Sequence, residues 1–515
     1  MGDWTKSWNL DVVSYCIIYW LCNDLLPLAY TFYISFKLCL RENFIDQLSI
    51  IDFFLELVKH GSMQYYSTRN TNNYVSLKQV ILDGLAQDGG LYLPLIINPL
   101  PQEFWRDVKN LKYIDILEKV LFHLTTGDEI DNSSISEGLS EVFNFSPEIK
   151  SLEDNLHLLD LNTGPTSAFK DYGANTLGVY LKVIADSYQS KKTILVATSG
   201  DTGSAVANAF KNYNSHPSLN VIVLYPKGRV SEDQRKLMTI VGGNINCIEI
   251  NGNFDDCQAL VKQAMSDKSI RSYLTSANSI NLIRIYGQIA YYIYTWAQVS
   301  KGEEVIFSVP SGNLGNLTAG YISYLLGNPI KKFIVSHNLN DMFNNLVLEG
   351  ILKENKQSIP TISSAMDVYK PSNLERLIVL FDGEINQDGS IKTLPDIKKM
   401  QDLFYVQGFD DDETKIKMKS IYNNHNQQID PHTAVGLLGV EHSIKNQHPE
   451  FADDTIIVLS TAHASKFNEI FYDVNGQYAN LSDPINIART KQETMLEMYN
   501  SYPALKEYIL TKIGN

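Results

Sequence analysis

An α/β fold with two lobes, each built on a twisted, mostly parallel sheet, is what this 515-residue sequence predicts. Two series of motifs carry that expectation. In the first, short β-branched runs alternate with helical patterns: TILVAT before SAVANAF, VIVLYP before SEDQRKLM, and CIEI before FDDCQALVKQAM. Such alternation marks βαβ units. The second series runs EEVIFSVP before LTAGYISYLL, then KKFIVS, then TIIVLS before ASKFNEIF, and it calls for a second parallel sheet across a cleft. A composition of 44% hydrophobic and 20% charged residues is that of an ordinary globular chain with two or three domains.

Taken in order, residues 1–62 do not resemble the rest of the chain. They hold Cys16, Cys22 and Cys39 of the five cysteines, and Trp4, Trp8 and Trp20 of the five tryptophans. Tyr15 to Phe36 carries a single formal charge before Lys37, that of Asp24, and is long enough to span a bilayer. Asn23, Asp24 and Pro27 within it argue against that, since a central carboxylate costs roughly 2.5 to 3.5 kcal/mol on insertion scales. We expect an extension outside the functional protein, ahead of an extra docking helix or a membrane anchor, and MQYYSTRN from Met63 reads as a natural start. Residues 63–155 are expected to form a small N-terminal domain. There Ser76 and Gln79 make a capping box before Val80, Ile81 and Leu85, and QDGGLYLP ends that helix in a turn. Residues 156–515 form the two-lobed core, with the smaller lobe at about 193–285. The polar stretch 381–415, FDGEINQDGS through GFDDDE, is expected to be a solvated surface insertion.

The charge balance, 43 basic against 58 acidic residues, gives a net charge of −15, and no basic run forms a nucleic-acid footprint. An anionic small substrate then needs a local cluster of backbone N–H groups and a few cations. Five cysteines without a CxxC or a Cys/His cluster argue against a metal site and a disulfide scaffold, with a reducing cytoplasm as the default.

Three predicted strands end in loops that open helices, the place where open α/β sheets bind ligands. In PSGNLGNLTAG (310–320), Gly312 and Gly315 let backbone N–H groups approach an anion, and the helix behind adds its positive end. The loop is either a phosphate cradle or a tight turn whose glycines serve geometry alone. It lacks the GK[ST] ending of a P-loop. ATSGDTGSAVA (197–207) offers Ser199 and Thr202 hydroxyls for a carboxylate, or else caps a helix through Ser199 or Asp201. STAHASKF (460–467) presents Thr461 and His463. Lys170 in GPTSAFKD comes after Ala168 and Phe169 and precedes a helical pattern. Shielded from water, such a lysine has a lowered pKa and attacks an aldehyde as a free amine. Two anion loops and one such lysine point to pyridoxal phosphate.

Together with YYSTRN, LAQDGGLYLP, LYPKGRVSEDQRKLM, SANSINLIRIYGQIAYY, SSAMDVYKPSNLERL and DPHTAVG, these motifs resemble the threonine synthase family, in its longer subgroup, from about Met63 to the C-terminal region. The resemblance implies a fold-type-II, pyridoxal 5'-phosphate-dependent lyase. It makes Lys170 the Schiff-base lysine, Gly312, Asn313, Leu314 and Asn316 the phosphate cradle, and Thr461 the partner of the pyridine nitrogen. Ser199, Asp201 and Thr202 match the segment that grips the substrate carboxylate. Arg284, Arg229 and Lys227 lie in matching motifs, as cations for a substrate phosphate or as members of structural ion pairs. The implied reaction converts O-phospho-L-homoserine and water to L-threonine and phosphate, with a phospho-lyase giving 2-oxobutyrate as the alternative. A cytoplasmic monomer or homodimer, without nucleic-acid or membrane partners, is expected. Leu314, Thr163 and Ala464 depart from the family pattern. Asp430 and Pro431 suit the N-cap and first turn of a helix, and an active-site part for His432 is secondary.

Overall fold

The computed structural model describes residues 63–513 apart from 128–129, 189–190, 212, 214–215, 217 and 354–356. The chain divides after Ser62 into two compact units, and all that is described lies in the second, Met63–Asn515. The expectation for residues 1–62 lies outside the described residues.

The chain enters through β1 (Tyr65–Ser67), β2 (Asn70–Val75) and β3 (Tyr92–Pro94), an antiparallel sheet ordered β2-β1-β3. Between β2 and β3, Ser76 caps the helix Leu77–Asp83 by accepting the Gln79 N–H. The return half of the expected box is not made, because the Gln79 amide donates to Asp83 instead, at 3.4 Å. The helix Tyr113–Leu124 buries Tyr113, Ile116, Leu117, Val120, Leu121 and Leu124, the i, i+3, i+4 spacing of one apolar face.

Next, β4 (Glu148–Ser151) turns antiparallel onto β5 (Leu156–Asp160). The smaller lobe holds β6 (Lys192–Ala197), β7 (Leu219–Pro226), β8 (Ile245–Asn251) and β9 (Leu274–Ser276). The larger sheet resumes with β10 (Val305–Pro310) and β11 (Ile330–His337). A hairpin of β12 (Glu384–Ile385) and β13 (Ile391–Thr393) precedes β14 (Phe404–Gly408), β15 (Ile456–Ser460) and β16 (Leu496–Tyr499). The larger sheet is ordered β14-β11-β10-β15-β5-β4 and is parallel except at β4; the smaller is ordered β16-β8-β7-β6-β9 and is parallel throughout. Every residue of β10 and β15 is buried, as expected of parallel strands covered by helices on both faces.

Residues 381–415 are not a solvated insertion as a whole. The hairpin is partly exposed, but Phe404, Tyr405 and Val406 are buried in β14, the edge strand of the larger sheet. The acidic run that suggested solvent is a helix start: Asp410 and Glu413 form a reciprocal capping box on Asp411–His425, where negative charge suits the positive helix end. The smaller lobe also extends past its expected span, because β16 joins its sheet beside β8. Arg489 and Asp233 pair through two hydrogen bonds of 2.7 and 2.8 Å, tying that C-terminal segment to the helix Glu232–Thr239.

One continuous core runs through Tyr65, Ile116, Leu159, Leu177, Val196, Val223, Phe307 and Val335, so the N-terminal sheet and both lobes share it. The helix Lys170–Tyr188 lies within it and is buried without a break from Asp171 to Leu181.

Candidate active site

Lys170 is carried into the cleft by the pairing of two loops. The Phe169 N–H donates to the Thr461 carbonyl at 2.9 Å, the His463 N–H donates to the Ser167 carbonyl at 3.0 Å, and Ala168 and Ala462 form an antiparallel bridge. These contacts put Lys170 and Thr461 on the same cleft, which holds about 730 Å³ of empty space with its open mouth included. Asp171 folds back on the preceding turn, accepting from the Thr166 N–H at 2.8 Å and the Thr166 hydroxyl at 2.6 Å. Its complete burial pushes the carboxyl up to about 6.

The Lys170 ammonium lies 3.3 Å from Asp201 Oδ2 and 4.7 Å from the centre of the Phe169 ring. Burial lowers its pKa; Asp201 opposes that shift, and the positive charges of Lys466 and Arg284 add to it. Of the apolar neighbours read from the sequence, the Phe169 ring lies beside the ammonium while Ala168 is spent on the bridge to Ala462, and a carboxylate not foretold by either stands at the amine. Burial would raise the pKa of Asp201 itself, yet Lys466 at 2.6 Å and Lys170 hold it well below the carboxylate range. The Gln234 amide donates to the same carboxylate at 2.9 Å.

The ATSGD loop caps its helix through neither Ser199 nor Asp201. Thr198 Oγ1 accepts the N–H groups of Gly200 at 2.9 Å and Gly203 at 2.8 Å. Asp201 and Thr202 line the cleft, whereas Ser199 does not. The spacing misled because a threonine at the strand's end reaches forward into the first turn.

The loop 311–316 lines the same cleft. A Cβ on Gly312 would lie 2.7 Å from the Met366 Cα, so the backbones meet too closely for any side chain. Leu314 sits in the left-handed region at φ 57° with its side chain buried, immediately before the helix Gly315–Leu325. The loop is anchored from outside. Asn313 Oδ1 accepts from the Ser372 N–H and hydroxyl at 3.3 and 3.2 Å, and its carbonyl accepts from the Asn373 N–H and amide at 3.2 and 3.1 Å. Asn373 is held in turn by Arg376, a fully buried guanidinium that also donates to the carbonyls of Tyr92, Ser279 and Ile280. Burial among these neutral acceptors brings Arg376 down to about 9.

Of the three candidate cations, only Arg284 lines the cleft. It is buried, which lowers it to about 10; Nη1 donates to the Ala277 carbonyl at 2.5 Å, and Nε has no partner among the described residues. A Cβ on Gly173 would come within 2.5 Å of the Arg284 carbonyl, so that glycine lets the arginine's helix close on Lys170–Tyr188. Lys227 is exposed and paired with Glu497 and Glu249, and Arg229 is also exposed; neither reaches the cleft.

His432 does line the cleft, but both ring nitrogens are used: Nδ1 donates to Asp430 at 2.6 Å, and Nε2 accepts the Ala365 N–H at 3.1 Å. His463 faces its own turn, where Nδ1 meets the Ser465 hydroxyl at 2.8 Å. Thr163 is structural, donating to the Ser146 carbonyl at 2.8 Å and lying 3.0 Å from the Tyr172 hydroxyl. Ala464 is buried at the start of the short turn Ala464–Phe467. Ser279, Gln288, Gln234 and Lys466 were not singled out in the sequence. Gln288, four residues after Arg284, was within reach of a helical-spacing argument, and its amide donates to the Arg284 carbonyl at 2.6 Å. Nothing local marks Lys466.

A phosphate-bearing aldehyde fits these residues. Asn316 is among the residues that line the cleft; its Oδ1 is taken by the hydroxyls of Tyr291 and Tyr292 at 2.6 and 2.7 Å, while its buried Nδ2 has no acceptor among the described residues. The N–H groups of Gly312, Asn313 and Leu314 likewise have no acceptor among the described residues. Unused donors at a helix start suit a phosphate, and a half-buried amine lining the same cleft suits an aldehyde.

Comparison with known proteins agrees. The family described as "Pyridoxal-phosphate dependent enzyme" matches residues 141–462, and "Threonine synthase N terminus" matches residues 64–143. Threonine synthase of Haemophilus influenzae is 36% identical over 454 residues, 87% of this chain and 100% of that protein. The Escherichia coli enzyme is 34% identical over 425 residues, 81% of this chain and 92% of that one. Its crystal structure superimposes with a TM-score of 0.77 at 32% identity, covering 87% of this chain and all of that one. The pyridoxal-phosphate-bound threonine synthase of Brucella melitensis gives 0.79 at 29% identity, covering 88% and 99%. The chain belongs to the threonine synthase family of pyridoxal-phosphate-dependent enzymes.

Proposed function

We propose that this protein converts O-phospho-L-homoserine and water to L-threonine and phosphate in the cleft beside Lys170. The observation that carries the reading is one cleft lined both by a half-buried lysine and by a loop of unused N–H donors, on a chain of this family. Gly312, Asn313, Leu314 and Asn316 would hold the cofactor phosphate, Lys170 its aldehyde carbon, and Thr461 its ring nitrogen with a neutral hydroxyl. Bound there, pyridoxal phosphate supplies an aldehyde for amine exchange and a conjugated ring that accepts electrons from the substrate's Cα.

Lys170, displaced by the substrate amine, takes the proton from Cα and returns protons in later steps, a task suited to an amine whose pKa burial has lowered. Asp201 stabilises the ammonium that Lys170 becomes. Thr202 and the first turn of its helix bind the substrate carboxylate. Arg284, with a guanidinium nitrogen left unpartnered in the cleft wall, binds the substrate phosphate and then the leaving phosphate. His432 keeps Ala365 in place and moves no proton, since its two nitrogens are committed. We further assign the protein to the cytoplasm as a monomer or homodimer without nucleic-acid partners, in keeping with its net charge of −15. No helix among the described residues is long and apolar enough to cross a membrane.

Product analysis with O-phospho-L-homoserine tests the reading. Threonine and phosphate in equal amounts are expected; 2-oxobutyrate and ammonia with no threonine would assign the chain to the phospho-lyase reaction instead.

A further inference from the structure

Beneath the cleft lies a charged residue to which the reaction gives no step. The Lys466 side chain is wholly inaccessible, its ammonium is 2.6 Å from Asp201 Oδ1, and it donates to the Thr166 carbonyl at 2.8 Å. It is not among the residues that line the cleft, and no part of its side chain is exposed there. Asp201 thus has two cationic neighbours, Lys466 on Oδ1 and Lys170 on Oδ2, the second at 3.3 Å. The two lysines differ in what they are free to do. Lys466 is fixed by the same Thr166 that closes the turn ahead of Lys170. Lys170 opens onto the cleft.

This asymmetry bears on cofactor loading. To condense with the aldehyde, Lys170 releases its ammonium proton to solvent; its nitrogen then forms a C=N bond as the aldehyde oxygen departs as water. The nitrogen so committed is no longer a dedicated counter-ion for Asp201. A buried carboxylate that loses its only cation is strongly disfavoured, because neither water nor an opposite charge replaces what it lost. With a second cation in place, that penalty does not arise. We propose that Lys466 is a positioning residue whose ammonium is the permanent counter-ion of Asp201, so that Lys170 leaves the carboxylate for the cofactor without stranding a buried charge. This rests on the reading of Lys170 as the cofactor lysine.

The test compares cofactor affinity, read from the visible absorbance of pyridoxal phosphate bound to full-length protein, in Lys466→Met and in Lys466→Met combined with Asp201→Asn. Lys466→Met should bind the cofactor at least tenfold more weakly, and the double variant should recover to within about threefold of the parent, since no charge is left to strand. Unchanged affinity in Lys466→Met overturns the proposal. So does a double variant as weak as the single one, which would make Lys466 a packing element only. Should Lys466→Met fail to fold, the double variant decides alone: near-parental affinity supports the proposal, and weak binding or failure to fold overturns it. Lys170→Ala serves as a separate control. If it keeps the visible band, the assignment of Lys170 has failed, whatever the Lys466 variants do.

Discussion

The loops 197–202 and 311–316 are built alike in sequence, each a buried strand running into glycines and hydroxyls at a helix start, yet they are electrostatic opposites in the fold. The second presents neutral donors: three N–H groups and the Nδ2 of Asn316, none with an acceptor among the described residues. The first presents a carboxylate, Asp201, already balanced by Lys170 and Lys466. Strand, glycine turn and helix thus define a place for a ligand, while its sign is set by what other elements bring to the loop. At 311–316 those elements are Tyr291, Tyr292, Ser372 and Asn373, all neutral. At 197–202 they are two lysines, Lys170 at the start of its helix and Lys466 in the turn Ala464–Phe467, with the Gln234 amide beside them.

Lys170 lines the cleft with both loops, and replacing it has the largest expected effect. Lys170→Ala should lose turnover by about 10³-fold or more, together with the visible absorbance of the bound cofactor; steady-state kinetics and a spectrum check both. The next effect concerns Asp171, which shapes the turn that presents Lys170. Its folded pKa of about 6 lies above the ordinary 3.8, so the native state binds the extra proton between these values. That contribution is fully present below about pH 3.8 and is lost as pH rises through about 6. Denaturant titrations should show it as up to about 3 kcal/mol of pH-dependent stability, and Asp171→Asn should flatten that slope.

Smaller changes separate the two loops. Gly312→Ala forces a Cβ against the Met366 backbone, and should weaken cofactor affinity more than tenfold while costing about 1 to 3 kcal/mol of stability. Thr202→Val should leave cofactor affinity unchanged and raise the substrate KM about fivefold, the effect of one hydrogen bond of about 1 kcal/mol. If the two variants disturbed the same parameter, the division of labour between the loops would be wrong.

The sequence made the parallel sheets legible because β-branched runs and helix periods are local signals. It made Lys170, Thr461 and the loop around Gly312 legible because each sits beside the end of a strand or the start of a helix. Ser199 and the segment 381–415 misled for a shared reason. A capping hydroxyl or an acidic run looks the same whether it serves a ligand, solvent or a helix end, as Thr198 and Asp410 show. Lys466 was not legible, since a wholly buried lysine is defined by a partner far away in sequence. Leu314, a departure from the family pattern, also belongs to the core through its side chain, which a loop sequence does not reveal.

Borohydride reduction of the holoenzyme followed by peptide mapping marks the lysine that holds the cofactor. The pyridoxyl group should be found on Lys170, in the peptide containing GPTSAFKD. Its presence on Lys466, or on any other lysine, would contradict the account.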